Sequence, residues 1–183
     1  TGFPTDTSAV PPTERRPEPA DEYFVAPFNL NIRVVEEDQV DTLNVFHGNS
    51  PANDTGVLTE SRLTGLGMGG DTVVAGRTVP GGITYANLEA VLVELGSGDD
   101  TFTIESTHAG STTVRSGPGQ DAIRVETING HTTVETGGDD DVVTVSNDET
   151  LVDQITGLLT VDTGPGQDVL RVDDSGDVLD DNT

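Results

Sequence analysis

The chain has no cysteine and no tryptophan, one methionine, five phenylalanines and two tyrosines. Without cysteine there are no disulfides and no thiolate metal sites. With so few aromatics a thick aromatic core is excluded, and Val, Leu, Ile and Thr are left to fill the interior, which suits thin β-sheets. Basic residues are scarce as well: eight Lys+Arg stand against 33 Asp+Glu, a formal charge of -25 over 183 residues. That balance argues against nucleic acid or an anionic membrane surface as a partner, and it makes cations the natural ones. Solubility of an elongated chain is the other use for so much acid. No run reaches the roughly twenty apolar residues of a membrane span, so no membrane insertion is expected, and no basic-then-apolar leader opens the chain. The first residue is Thr, which reads as a piece of something longer.

Glycine is plentiful, at 22 residues, and it is ordered. Residues 1–22 hold five prolines and almost no apolar pattern, as expected of a Pro-rich, disordered linker. From Tyr23 the texture changes to short β-branched runs broken by Gly, Asn and Asp, without helical periodicity, so residues 23–183 are expected to form one repeat domain. Residues 117–125, GPGQDAIRV, return at 164–172 as GPGQDVLRV. Aligning Gly96, Gly117, Gly137 and Gly164 stacks LGSGDDTFTI, SGPGQDAIRV, TGGDDDVVTV and TGPGQDVLRV at spacings of 21, 20 and 27 residues. The last spacing contains a loop insertion at 147–156, and the clearest coils cover 88–174.

The aligned columns alternate with period two. Val93, Val114, Val134 and Val161 form one inward ladder; Phe102, Ile123, Val143 and Leu170 form a second; Ile104, Val125, Val145 and Val172 form a third. Glu94, Arg115, Glu135 and Asp162 point outward, as do Thr103, Arg124, Thr144 and Arg171. Each coil then makes one short strand before the Gly turn and one after it, and stacks on the next coil at about 4.8 Å. The expected fold is all-β, a right-handed parallel β-solenoid (β-roll or β-helix) with coils of about 20 residues, whose apolar face is buried only by stacking. A longer period lies beneath: residues 40–58 align with 167–183 at an offset of 127 or 128, Asp41 on Asp168, which implies tandem neighbours of the same polypeptide as partners. Residues 64–76, TGLGMGGDTVVAG, fit the short motif through Gly67, Gly69 and Asp71, and a wide loop is expected around 49–63.

In G-x-G-x-D-x-φ-x-φ the glycines let neighbouring backbones approach. The Asp has two possible uses: it accepts local amides as an Asx turn, or it holds a hard cation together with turn carbonyls. Asp100, Asp121, Asp141 and Asp168 would form one column. Adjacent unit charges there repel by about 1 kcal/mol in bulk water and about 3 to 4 at an effective dielectric of 20, a penalty that a divalent ion would remove. These turns resemble the RTX (repeats-in-toxin, hemolysin-type) calcium-binding β-roll repeats, whose nonapeptide is G-G-x-G-x-D-x-U-x. The resemblance implies secretion to a calcium-rich exterior. It implies Ca2+ as the cofactor, held by Asp100, Asp121, Asp141 and Asp168 and by backbone around Gly96, Gly98, Gly117, Gly119, Gly137, Asp139, Gly164 and Gly166. The chain departs from that pattern in its period near twenty, in one motif per coil, in Asp139 where the second Gly belongs, and in Gly-Pro for Gly-Gly in two turns. The longer pattern also resembles tandem repeats of very large bacterial surface or secreted proteins.

These features lead to a non-catalytic structural or adhesive module of an extracellular or cell-surface protein. Catalysis is not expected: His47, His108 and His131 fall in turns or at strand starts without a recurring carboxylate partner, and no nucleophile-elbow, zincin or phosphate-loop motif is present. A polysaccharide-modifying enzyme fragment is therefore the remoter reading. The nearer alternative is a carbohydrate- or surface-binding face on the outward column Leu92, Thr113, Thr133 and Thr160. That column equally satisfies plain β-propensity, and it lacks an aromatic platform for sugar stacking.

Overall fold

The computed structural model describes residues 39–177. The Pro-rich segment 1–22, the change of texture at Tyr23 and the match at Thr183 lie outside the described residues, which from Val40 onward belong to one compact unit. The fold is all-β, a parallel β-solenoid of about three turns with about 24 residues to the coil. Its strands are β1 (Thr42–Phe46), β2 (Thr55–Leu58), β3 (Arg62–Gly65), β4 (Thr72–Val74), β5 (Arg77–Val79), β6 (Ile83–Thr84), β7 (Ala90–Glu94), β8 (Thr101–Ile104), β9 (Ser111–Arg115), β10 (Ala122–Val125), β11 (Thr132–Glu135), β12 (Val142–Val145), β13 (Leu159–Asp162) and β14 (Val169–Val172). One sheet runs β1-β7-β9-β11-β13, parallel throughout. The other runs β14-β12-β10-β8-β2 in parallel and ends in the antiparallel β3 and β6.

The columns read from the sequence are the pairs of these sheets. Val93, Val114, Val134 and Val161 are partners in register, and so are Phe102, Ile123, Val143 and Leu170, and Ile104, Val125, Val145 and Val172. Period-two alternation puts these columns on the inward side: Val93, Phe102, Ile104, Val114, Val125, Val134 and Val143 are fully buried, whereas Leu170 and Val172 on the last described strand are exposed. Each such burial contributes about 1.5–3 kcal/mol relative to exposure. Phe102 is the one large ring in the stack, and Gly56 opposite it makes the room: a Cβ at Gly56 would meet the Phe102 ring at 2.7 Å.

The coil is longer than twenty residues on average because one step is stretched. Successive Asp positions are 21, 20 and 27 residues apart, and the long step holds the expected insertion. There Asn147 closes a tight turn, its Oδ1 accepting the amides of Glu149 at 2.9 Å and Leu151 at 3.0 Å.

Three expectations for the first part of the chain are corrected. Residues 42–46 pair with β7, whereas β14 lies in the other sheet, so the 127-residue alignment of Asp41 on Asp168 matches strands from different sides of the coil. An apolar-polar alternation looks the same in either sheet, and only the distance to the turn tells them apart. Residues 64–76 form no coil: β3 folds back antiparallel on β2, and β4 and β5 make a separate antiparallel hairpin. The wide loop at 49–63 is interrupted by β2, which pairs in parallel with β8.

Candidate functional site

The turn between the two sheets is where the sequence concentrates its Gly and Asp, and it carries two polar ladders. In the inner one, Asp Oδ1 of each coil accepts the backbone amide of the equivalent Asp in the coil before: Asp54 N–H to Asp100 at 2.7 Å, Asp100 to Asp121 at 2.8 Å, Asp121 to Asp141 at 2.9 Å, and Asp141 to Asp168 at 3.0 Å. The four aspartates named from the sequence are thus brought into one column, and Asp54 heads it. The outer ladder uses the residue just before each Asp and runs the other way. Asn53 Oδ1 accepts the Asp99 amide at 3.0 Å, Asp99 Oδ1 the Gln120 amide at 2.9 Å, and Asp140 Oδ1 the Gln167 amide at 2.8 Å. The amides served belong mainly to the neighbouring coil. One bond of the column stays within its own coil: Asp100 Oδ2 accepts the Gly96 amide at 3.0 Å.

Burial makes this column unusual. Asp100, Asp121 and Asp141 are buried, and Oδ2 of both Asp121 and Asp141 is out of contact with solvent and without a hydrogen-bond partner. Burial pushes the Asp121 carboxyl up to about 6, against the lowering effect of the Ser116 hydroxyl beside it and of the Asp100 amide. The same hydroxyl lies 2.9 Å from the Thr136 carbonyl, to which it can also donate.

The glycines stack for a steric reason. Gly117 and Gly137 have φ of +98° and +97°, and a Cβ on Gly137 would collide with the Gly117 carbonyl oxygen. The carbonyls of Gly96, Gly98, Gly137 and Asp139 lie in the same way against Gly117, Gly119, Gly164 and Gly166. Oδ1 of Asp100, Asp121, Asp141 and Asp168 is already engaged by an amide. Among the described residues no three His, Asp or Glu side chains gather where one metal ion could sit. A hard cation such as calcium takes about six to eight oxygen ligands, backbone carbonyls among them.

Elsewhere the expected columns carry ion pairs. Arg115 bridges Glu94 at 3.2 Å and Glu135 at 2.7 Å, and Arg124 pairs with Glu126 at 2.8 Å and Asp148 at 3.0 Å. Thr113, Thr133 and Leu92 share one column with Thr160, as read from the sequence. The histidines are spread over three places. His47 does have a carboxylate, Asp54 Oδ2 at 2.9 Å, which also accepts the Ser50 hydroxyl at 2.9 Å. His108 stands edge-on to Tyr85 with ring centroids 6.3 Å apart, and His131 is exposed.

Sequence reasoning missed two features. Asp54 was legible in D-T-x-x-φ, since Asp54-Thr55 and Leu58 repeat the spacing of Asp100-Thr101 and Ile104. A further glycine column, Gly110, Gly130 and Gly157, lies on the opposite turn, each glycine against the carbonyl of the coil before. The equal 20-residue step from Gly110 to Gly130 was its signal. No family model matches the chain, and neither does any curated protein or solved structure.

Proposed function

We propose that the chain is a non-catalytic structural or adhesive module of an extracellular or cell-surface protein, with tandem neighbours of the same polypeptide as partners. The observation that carries this reading is the register. Apolar, Asp and Gly columns keep one pairing from coil to coil, so most of the repeat's chemistry is directed at its own next coil. Antibody raised against the module is expected to label intact cells of the producing organism. Labelling confined to lysed cells would overturn the surface reading, and capture of defined polysaccharides in a glycan array would favour the carbohydrate-binding alternative on the Thr113–Thr133 column.

A second reading, calcium binding at the turns, is favoured by one observation. Oδ2 of Asp121 and Asp141 is a buried oxygen without a partner, and such an atom calls for a proton or a cation. Melting followed by far-UV circular dichroism, in millimolar calcium and in chelator at equal ionic strength, tests it. A higher melting temperature in calcium supports the reading, and superimposable curves remove calcium while leaving the structural module intact.

A further inference from the structure

Between Asp100 and Asp168 the coils run 21, 20 and 27 residues, so the last of them is stretched. Stacking does not require the extra length, and in solenoids such insertions map to loops on one face, often the binding face. Here the insertion rises directly after β12, and it is tied down. Besides the two amides held by Asn147 Oδ1, Asn147 Nδ2 donates to Gln154 Oε1 at 3.1 Å, and the Val152 amide donates to Asp174 Oδ1 at 3.2 Å. A loop fixed in this way can serve as one wall of a preorganised site.

That wall borders a polar cleft of about 390 Å³ on the outer face of β10, β12 and β14. Arg124, Thr144 and Arg171 are partners in register there, and two residues on in each row stand Glu126, Ser146 and Asp173. The two outer rows are ion pairs. Arg124 Nε lies 2.8 Å from Glu126 Oε1, its Nη2 donates to Asp148 of the insertion at 3.0 Å, and Arg171 Nη2 donates to Asp173 Oδ2 at 2.6 Å. The middle row carries only hydroxyls. The result is a trough with Thr144 and Ser146 at its floor, an arginine–carboxylate pair on either side at two strand spacings, about 9–10 Å, and the turn that starts at Asn147 across one end. A further coil on β14 would pair with its edge and add a row outside Arg171, so the trough does not depend on where the stack stops.

The lining decides the class of ligand. Arginine supplies donors only, carboxylates acceptors only, and the hydroxyls of Thr144, Ser146 and Thr150 either. An anion would meet Asp148 and Asp173 in a chain of charge -25, and a cation would come against two guanidinium groups whose carboxylates are already paired. An uncharged ligand with many hydroxyl groups finds a partner for each of them, while the aliphatic stems of Arg124 and Arg171 cover its less polar faces. The volume lies at the small end of ligand clefts, which suits one sugar ring with the rest of its chain leaving through the open side. We infer that the trough binds a hexose unit of a neutral polysaccharide. This site lies on the opposite sheet from the Thr113–Thr133 column, and it requires neither calcium nor a particular cellular location.

Affinity electrophoresis tests it, in native gels containing dextran, mannan or galactan, with polygalacturonate as the acidic control and each mobility taken relative to a gel without polymer. The native chain is expected to be retarded by at least one of the neutral polymers and to run unchanged in polygalacturonate. Thr144→Val keeps the shape of the floor and suits a strand while removing a hydroxyl, and Arg171→Met keeps the stem while removing the guanidinium. Each, once checked for a native circular dichroism melt, should weaken the retardation about three- to tenfold. Thr103→Val, in the same column but outside the trough beyond Arg124, should bind as the native chain does. A native chain that no neutral polymer retards overturns the inference. So does retardation by polygalacturonate alone, or a Thr144→Val protein that binds as well as the native one. Binding lost in Thr133→Val and kept in Thr144→Val would also overturn it, and would move the glycan to the other sheet.

Discussion

Asp121 concentrates the conflict between what a turn needs and what burial permits. The Asp100 amide needs an acceptor, which Asp121 Oδ1 supplies at 2.8 Å, while the second oxygen is buried and without a partner. An amide side chain would serve the first need without the charge. Asp121→Asn is therefore expected to raise stability at pH 7 by about 1–2 kcal/mol, because Asn Oδ1 still accepts the Asp100 amide and no charge is left buried. Asp121→Ala is expected to lose about 1–3 kcal/mol, the cost of a buried amide left without an acceptor. Urea melts of the three proteins check both, and a fall on Asp121→Asn would show that the negative charge itself, or an ion it holds, is what the turn requires. The pH dependence follows with a definite sign. The folded carboxyl lies at about 6, above its ordinary 3.8, so the native state binds this proton more readily than the unfolded chain does. Its contribution is least favourable above pH 6, improves as pH falls from about 6 to about 4, and is fully relieved below the unfolded value. Two units amount to about 3 kcal/mol at most. Stability measured from pH 7 to pH 4 should show this component in the native protein and not in Asp121→Asn.

At the scale of the strand and its turn, close approach of backbones sets the tolerances. A methyl on Gly137 would meet the Gly117 carbonyl and hold a left-handed φ, so Gly137→Ala is expected to cost about 2–5 kcal/mol. Gly69→Ala, where nothing lies within 4 Å, should stay within about 0.5 kcal/mol, and thermal melts of the two separate stacking glycines from incidental ones. The same contrast explains what could be read from the sequence. Val93-Val114-Val134-Val161 and Phe102-Ile123-Val143-Leu170 were legible because a strand alternates and a stack repeats, so period and column followed from residue type alone. The phase of 42–58 was not, since Leu43 and Val45 alternate like any strand and the eight-residue turn 47–54 hides the distance to Asp54. The antiparallel turn-back at β3 was hidden for another reason. Gly67, Gly69 and Asp71 copy the coil's turn chemistry in a stretch where Arg62 and Gly81 use Asp71 to close a hairpin. The aspartate column was foreseen by position, yet its partners were not, because a repeat states which residues recur and not which atoms of the neighbouring coil they meet.

For the molecule as a whole, the charge of -25 places two kinds of repulsion in one structure, and salt separates them. Exposed carboxylates such as Glu149 repel their neighbours through water, and at about 0.15 M ionic strength the Debye length of about 8 Å removes most of that. The Asp100–Asp121–Asp141 column is buried, and a column closed to mobile ions keeps its repulsion at any salt. The melting temperature of the native chain is thus expected to climb as sodium chloride rises from about 0.01 to 0.5 M and then to level off below that of Asp121→Asn. Glu149→Gln should exceed the native protein only at the low end and merge with it at the high end. If the Asp121→Asn advantage also vanished in salt, the column would be open to mobile ions. A wet turn of that kind would favour the calcium reading over the amide ladder, because a site that sodium can screen is one that a divalent ion can reach.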